Sequence, residues 1–199
     1  VLGRFAMMAV QGKLLDRDGG RVYRALLSAL SNEGEPLAVR RRALESIAPF
    51  RSDRIRTWIE WAFDHQESLM RQSALFAMGR SGDTAWLEII IGELESDDPG
   101  MRFEAANAAR EMGEDEPLPH LAQLVDDIDS QVSLAALGAI ARIGGARATR
   151  ILKGLAAGGD LTISEAAQEA LDILTADDAG VSMTQLPTEF GEEGPEDDL

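Results

Sequence analysis

PGMRFEAANAAREMG, residues 99–113, is the clearest copy of a pattern that recurs along the chain. Shifting the sequence on itself by 31 residues aligns this segment with four others. One column of the alignment is always apolar, and it holds Val39, Met70, Met101, Val132 and Ile163. Another column is always alanine, and it holds Ala43, Ala74, Ala105, Ala136 and Ala167. A fixed period of this size is typical of stacked helical repeats.

Each repeat is predicted to contain two helices, here called helix A and helix B. Apolar residues recur at helical spacing in two segments per repeat, and no segment has the alternation of a strand. Helix A is expected at 21–31, 54–64, 84–95, 117–126 and 147–157. Helix B is expected at 37–48, 68–79, 99–112, 130–143 and 162–174.

Two further columns mark the ends of helix B. A glycine column, where a left-handed residue should end the helix, holds Gly82, Gly113 and Gly144. An aspartate column, where a carboxylate can cap free amides, holds Asp98, Asp129 and Asp160. The sequence therefore predicts an all-α protein, a right-handed α-solenoid with a partial first repeat in 1–20, a link at 12–20, and five repeats in 21–174.

The C-terminal segment 175–199 differs in composition from the repeats. It contains eight acidic residues and no basic residue, and we expect it to be a disordered acidic tail. The simplest role for this tail is to keep the protein soluble. The alternative is a linear motif with Phe190 as its aromatic anchor, binding another protein or the basic cluster near the N-terminus.

Composition limits the classes of function. The formal net charge is −16, and cysteine is absent, so a disulfide framework and thiolate metal sites are excluded. No apolar run approaches the roughly 20 residues of a membrane span, and the start lacks the layout of a signal peptide. We expect a cytoplasmic protein without a membrane partner. Its first residues already have the spacing of a helix interior, so we also expect repeats upstream.

The helix B element Asp98-Pro99-Gly100-Met101-Arg102, with the alanines that follow and Gly113, resembles HEAT-like repeats of the phycobiliprotein-lyase type. The resemblance covers about residues 21–174. It implies a solenoid and leaves function open, because such families include adaptors, scaffolds and a few enzymes. The last two repeats have Ser133 and Ser164 where the resemblance implies arginine.

Arginine recurs at the repeat period after the first column, as Arg40, Arg71 and Arg102. Each follows an acidic residue by a few positions. These arginines could bind an anion or could form a structural ladder that ties each inter-helix turn to its neighbour. We favour the ladder, because the guanidinium fork suits several acceptors at once.

The face of helix B opposite the buried stripe is the predicted binding surface. We expect Phe76, Phe103 and Leu134 to form one exposed apolar band there, bordered by polar and basic side chains, a composition typical of protein-binding hot spots. The alternative is that neighbouring repeats cover the rings. The predicted partner-binding residues are Phe76, Arg80, Phe103, Asn107, Arg110, Leu134 and Arg142.

A basic cluster in residues 40–56 is a weaker candidate. Its possible contacts to an anion or to the tail are Arg41, Arg42, Arg54 and Arg56, with Trp58 and Trp61 nearby. The cluster is short for a nucleic-acid site, so a solvated face is the favoured interpretation.

Catalysis is not predicted. The two histidines, His65 and His120, are isolated, and no metal set or nucleophile pair can be assembled, so we expect a non-enzyme without cofactor. The favoured function is a scaffold or adaptor that binds another protein on the concave helix B face. The alternative is an accessory, non-catalytic subunit of a bilin-lyase-like enzyme, and nucleic-acid binding is the least favoured.

Overall fold

The structure is a computed structural model that describes residues 2–183, with side chains as far as residue 175. That part of the chain contains helices and no strands. The α-helices are α1 (Leu2–Val10), α2 (Asp16–Ser31), α3 (Leu37–Ile47), α4 (Asp53–Phe63), α5 (Ser68–Ser81), α6 (Leu87–Glu93), α7 (Pro99–Met112), α8 (Leu118–Leu124), α9 (Ser130–Ile143), α10 (Gly145–Ala156) and α11 (Leu161–Met183). Short 3-10 helices at Ala48–Phe50 and Thr84–Trp86 precede α4 and α6.

The helices form the predicted pairs, and the predicted bounds of α7 and α9 are confirmed. The predicted link at 12–20 is wrong beyond residue 15, because α2 already begins at Asp16. Its glycines suggested a loop, but Gly19 is buried, and a Cβ there would lie 3.2 Å from the Cβ of Ala9. Glycine at this position allows α2 to pack closely on α1.

The last helix is longer than expected. α11 continues past the predicted end at residue 174 to Met183. The predicted boundary rested on acidic composition, on the glycines and prolines from residue 180 onward and on the lack of an apolar stripe. Acidic composition does not by itself end a helix, and residues 161–179 contain neither glycine nor proline. The rest of the predicted tail, including Phe190, lies outside the described residues.

The B helices α3, α5, α7 and α9 pack directly on one another, whereas successive A helices have few contacts with each other. The alanine columns explain this difference, since Ala105, Ala108 and Ala136 are buried at these interfaces. The backbones of α5 and α7 approach closely, since a Cβ on Gly79 would lie 2.6 Å from the Cα of Ala108. The small residues therefore set the spacing of the stack.

The predicted caps are confirmed except at Gly144, where φ is 70° but ψ is −155°, so this glycine ends α9 outside the left-handed helical conformation. The carboxylates of Asp98 and Asp129 each accept a backbone N–H two residues later at 2.8 Å, and Asp160 accepts the N–H of Ile163 at 3.0 Å. The cap glycines have positive φ, including 58° at Gly82 and 74° at Gly113. The first repeat has Arg51 in this column instead, with φ of 49°.

The arginine ladder binds the inter-helix turns as predicted, but among the described hydrogen bonds only those of Arg102 also reach the next repeat. Arg102 donates to the carbonyl of Ser96 at 2.8 Å and forms a bidentate pair with Asp127 of the next repeat, at 2.7 and 2.9 Å. Arg71 donates to the carbonyls of His65 and Gln66, at 3.0 and 2.9 Å. Arg40 donates to the carbonyl of Leu30 at 3.0 Å.

The last two repeats fasten the same turn with a hydroxyl. Ser133 donates to the carbonyl of Val125 and Ser164 to that of Ala156, both at 2.6 Å. Serine therefore binds the inter-helix turn as arginine does in the earlier repeats. It does not form the ion pair by which Arg102 also contacts the following repeat.

Gly79→Ala tests the close packing of α5 on α7. Alanine favours a helix over glycine by about 1 kcal/mol, but the added Cβ collides with the backbone of Ala108, so we expect a net destabilisation of about 1 to 3 kcal/mol. Gly138→Ala in α9 is the matched control, because no atom lies within 4 Å of its added Cβ. We expect that variant to be as stable as the parent or more stable in urea unfolding. Equal effects of the two substitutions would contradict the packing.

Asp127→Asn tests the link between the third and fourth repeats. The Arg102 guanidinium holds the pKa of Asp127 below its ordinary value, so the pair stabilises the fold above the unfolded-state pKa of about 4. This stabilisation is lost as pH falls through the folded-state pKa. We expect the substitution to cost about 2 kcal/mol at pH 7 and progressively less below pH 4. Asp126→Asn, at an exposed position, should have little effect at either pH, and a cost for Asp127→Asn that does not change with pH would contradict this account.

Candidate functional site

A pocket of about 250 Å³ lies on the B face between α5 and α7. Its lining consists of Phe76, Phe103, Glu104, Asn107, Ala108, Arg110 and Glu111. Four of the residues predicted for partner binding are thus brought together: Phe76, Phe103, Asn107 and Arg110. We refer to this site below as the α5–α7 pocket.

The expected exposed apolar band is wrong in part. Phe76 and Phe103 are half-buried, and Phe103 packs against the core, whereas Leu134 is 62% exposed. Neighbouring parts of the structure therefore cover part of each ring, which is the alternative that the sequence left open. A helical wheel assigns a residue to a face but does not show how far the next helix covers the flank of that face.

Leu134 lies in a second, apolar groove between α9 and α11. Its lining consists of Leu134, Leu137, Gly138, Ala141, Ala166, Glu169, Ala170, Ile173 and Leu174. The B face thus changes along the stack from an aromatic and polar pocket to an apolar groove.

The predicted border arginines differ in their surroundings. Arg80 lies 3.6 Å from the carboxylate of Glu111 and so links α5 to α7 beside the pocket. Arg110 and Arg142 are exposed. In the described part of the chain, neither side chain makes a hydrogen bond or an ion pair.

Glu104 is the member of the pocket that the sequence analysis missed. Its side chain is half-buried and has no hydrogen-bond or ion-pair partner among the described residues. Burial raises the pKa of Glu104 above the ordinary carboxyl value, and the Glu45 carboxylate raises it further, while Arg41 and Arg42 oppose the shift. The sequence did offer a sign of this residue's role, because Glu104 directly follows Phe103 at the edge of the predicted binding face.

A polar network on α3 and α5 adjoins this pocket. Arg41 donates to the hydroxyl of Ser73 at 2.8 Å, and that hydroxyl donates to Glu45 at 2.7 Å. Arg42 donates to the other oxygen of Glu45 at 2.6 Å. Two of the predicted anion contacts are therefore already bound within the chain.

The remaining members of the basic cluster lie on α4. Arg56 pairs with Asp83 and lies over the ring of Trp86, 5.3 Å from its centroid. Arg54 is exposed and has no partner in the described part of the chain. The four predicted contacts, Arg41, Arg42, Arg54 and Arg56, thus lie on two helices, and three of them have partners of their own. They do not form one anion site.

The tryptophans near the cluster are also engaged within the chain. Trp58 and Trp61 pack edge to face with centroids 5.3 Å apart, and the guanidinium of Arg40 lies 4.8 Å from the Trp61 ring. Both rings are half-buried, so neither forms an open stacking platform.

The described residues offer neither a metal site nor a membrane-spanning helix. Between residues 2 and 175, no three His, Asp or Glu side chains are placed to hold a metal ion. Between residues 2 and 183, every helix is too short or too polar to cross a bilayer.

The pairing of helices and the stacked B layer can be compared with known families. The family model described as HEAT repeats matches residues 55–136 and 87–172. The chain belongs to the HEAT-repeat family. No curated protein matches the sequence of this HEAT-repeat chain.

Solved structures resemble this HEAT-repeat protein in fold. An engineered protein aligns with a TM-score of 0.53 at 22% identity, over 88% of this chain and 87% of its own. A designed armadillo repeat protein in complex with the peptide (KR)4 aligns with a TM-score of 0.54 at 17% identity, over 87% of this chain and 91% of its own. At these identities the likeness shows a repeat solenoid and no function.

Phe103→Ala should lower stability more than Phe76→Ala. Phe103 packs partly on the core, so we expect a loss of about 2 to 3 kcal/mol, somewhat below the cost for a fully buried phenylalanine. Phe76 is half-buried outside the core cluster, and we expect about 1 kcal/mol or less. Thermal unfolding of the two variants measures the difference. The reverse order would show that Phe76 is the ring supporting the core.

Proposed function

We propose that this HEAT-repeat protein is a scaffold that binds a segment of a partner protein on its B face. HEAT and armadillo-like repeats generally serve as protein-binding scaffolds. The close packing of B helices relative to A helices curves a stack toward the B layer, so the B face is the concave side that can enclose a segment.

The α5–α7 pocket is the observation that carries the proposal. Two half-buried aromatic rings provide apolar area for an anchor side chain. Beside them, Asn107 is half-buried and makes no side-chain hydrogen bond within residues 2–175. Its amide offers both donors and an acceptor, which suits the backbone of an extended peptide.

The apolar groove at Leu134 extends the same face. An extended segment gains about 3.3 Å per residue, and packed helices lie about 8 to 10 Å apart. A segment of roughly six residues therefore suffices to span from the α5–α7 pocket to the α9–α11 groove.

Phe76→Ser tests this proposal because the change removes an anchor surface at small cost in stability. Affinity purification with the full 199-residue chain as bait, followed by quantitative mass spectrometry, compares the parent with the variant. Leu69→Ser is the matched control, since Leu69 is 51% exposed on the same helix but does not line the pocket. We expect a partner that is recovered by the parent and by Leu69→Ser and is lost with Phe76→Ser.

Recovery of the same proteins by all three baits would contradict binding at this pocket. Melting temperatures of the variants provide the check that loss of binding does not reflect unfolding.

The finer resemblance, to the phycobiliprotein-lyase type of repeat, stays a proposal, as does the role of an accessory subunit of a bilin-lyase-like enzyme. No contact in the described residues favours that role. Co-purification of a pigment with the protein would distinguish such a subunit from a scaffold.

Nucleic-acid binding is the least favoured function. Such binding would weaken steeply as the salt concentration rises, and the partners that Arg41, Arg42 and Arg56 have within the chain disfavour it.

A further inference from the structure

We infer that the α5–α7 pocket takes a basic side chain, arginine or lysine, from the partner segment. The inference rests on the proposed function of the B face and adds the chemistry of the anchor residue.

Glu104 is the first reason. It is a half-buried carboxylate in the pocket lining, without a hydrogen-bond or ion-pair partner among the described residues. The carboxylate keeps some contact with water, since no side-chain oxygen in the described residues is both fully buried and without a partner. A cation brought to a partly shielded carboxylate of this kind forms a charge-assisted hydrogen bond with it. The raised pKa of Glu104 agrees with a site that lacks such a cation.

The two phenylalanines are the second reason. A long basic side chain buries its methylene stem on apolar surface while its charged head reaches a polar group. Phe76 and Phe103 line the pocket and offer that surface, and an aromatic ring also attracts a cation through its electron-rich face. A purely apolar anchor would fill the space between the rings but would leave Glu104 unpaired.

The other charges near the pocket do not supply the missing cation. Arg41 and Arg42 of α3 are bound to Ser73 and Glu45, and Arg80 of α5 lies beside Glu111. Arg110 lines the pocket but is exposed. It opposes a basic ligand only weakly, because charges in water are screened. It can pair with an acidic residue that neighbours the anchor in the partner.

The charge of the whole chain favours the same occupant. A formal net charge of −16 attracts cationic segments at long range and accelerates their encounter. The same field gives every basic peptide some affinity, so the experiment must separate the pocket from diffuse attraction.

The probe is a fluorescein-labelled (KR)4 peptide, titrated into the full 199-residue chain at 150 mM salt with fluorescence anisotropy as the readout. The variants are Glu104→Gln and Glu88→Gln, which change the net charge equally. Glu88 is exposed on α6, so it controls for diffuse attraction. We expect Glu104→Gln to weaken binding about tenfold and Glu88→Gln by less than twofold. The peptide should shift the amide resonances of Phe76, Phe103 and Asn107.

Equal weakening in the two variants, or shifts only outside α5 and α7, would show diffuse attraction and overturn the inference. Tighter binding of an (EL)4 peptide at the same resonances would overturn it while leaving the proposed function intact. Deletion of residues 184–199 tests the chain's own acidic segment, and shifts at these three residues on deletion would identify that segment as the occupant instead. The proposed function fails separately, if Phe76→Ser leaves partner recovery unchanged.

Discussion

The close approach of α5 to α7 is the constraint on which the other features depend. The backbone at Gly79 lies so near Ala108 that a single added carbon has no room. Contact at this distance buries the alanine columns and draws the B helices closer together than the A helices. It also places Phe76 and Phe103 on either side of one pocket. The α5–α7 pocket therefore depends on the small residues Gly79 and Ala108 as well as on the two aromatic rings that line it.

The turns fix the register of each repeat on the next. Aspartate caps begin α7, α9 and α11, and Arg102 extends the connection to the following repeat through Asp127. Where serine replaces arginine, a single hydroxyl holds the preceding turn, and among the described residues that hydroxyl makes no bond to the following repeat. The connections between repeats are thus unequal along the solenoid, although the helices repeat regularly. Stability of such a stack depends on nearest-neighbour interfaces, so these differences act locally.

The period and its caps were enough to predict the repeat architecture and the bounds of α7 and α9. They failed at the start of α2, where Gly19 serves close packing rather than a loop, and at the end of α11, where acidic composition suggested an end too early. The site was predicted in part. Periodicity placed Phe103 on the B face, but its partial burial depends on the neighbouring helix. Arg41 pairs with Ser73, which lies 32 residues away in sequence. The sequence alone therefore could not show which arginines of the basic cluster have partners within the chain.

Native-state hydrogen exchange of the backbone amides tests most directly whether the B layer holds the structure together. If the B layer holds the structure together, amides in the middle of α5 and α7 exchange most slowly and open only with the whole stack, while those of α6 and α8 exchange faster through local opening. If α6 and α8 exchange as slowly as α5 and α7, the A helices contribute equally to the stack. That result would contradict a site built on the packing of the B layer.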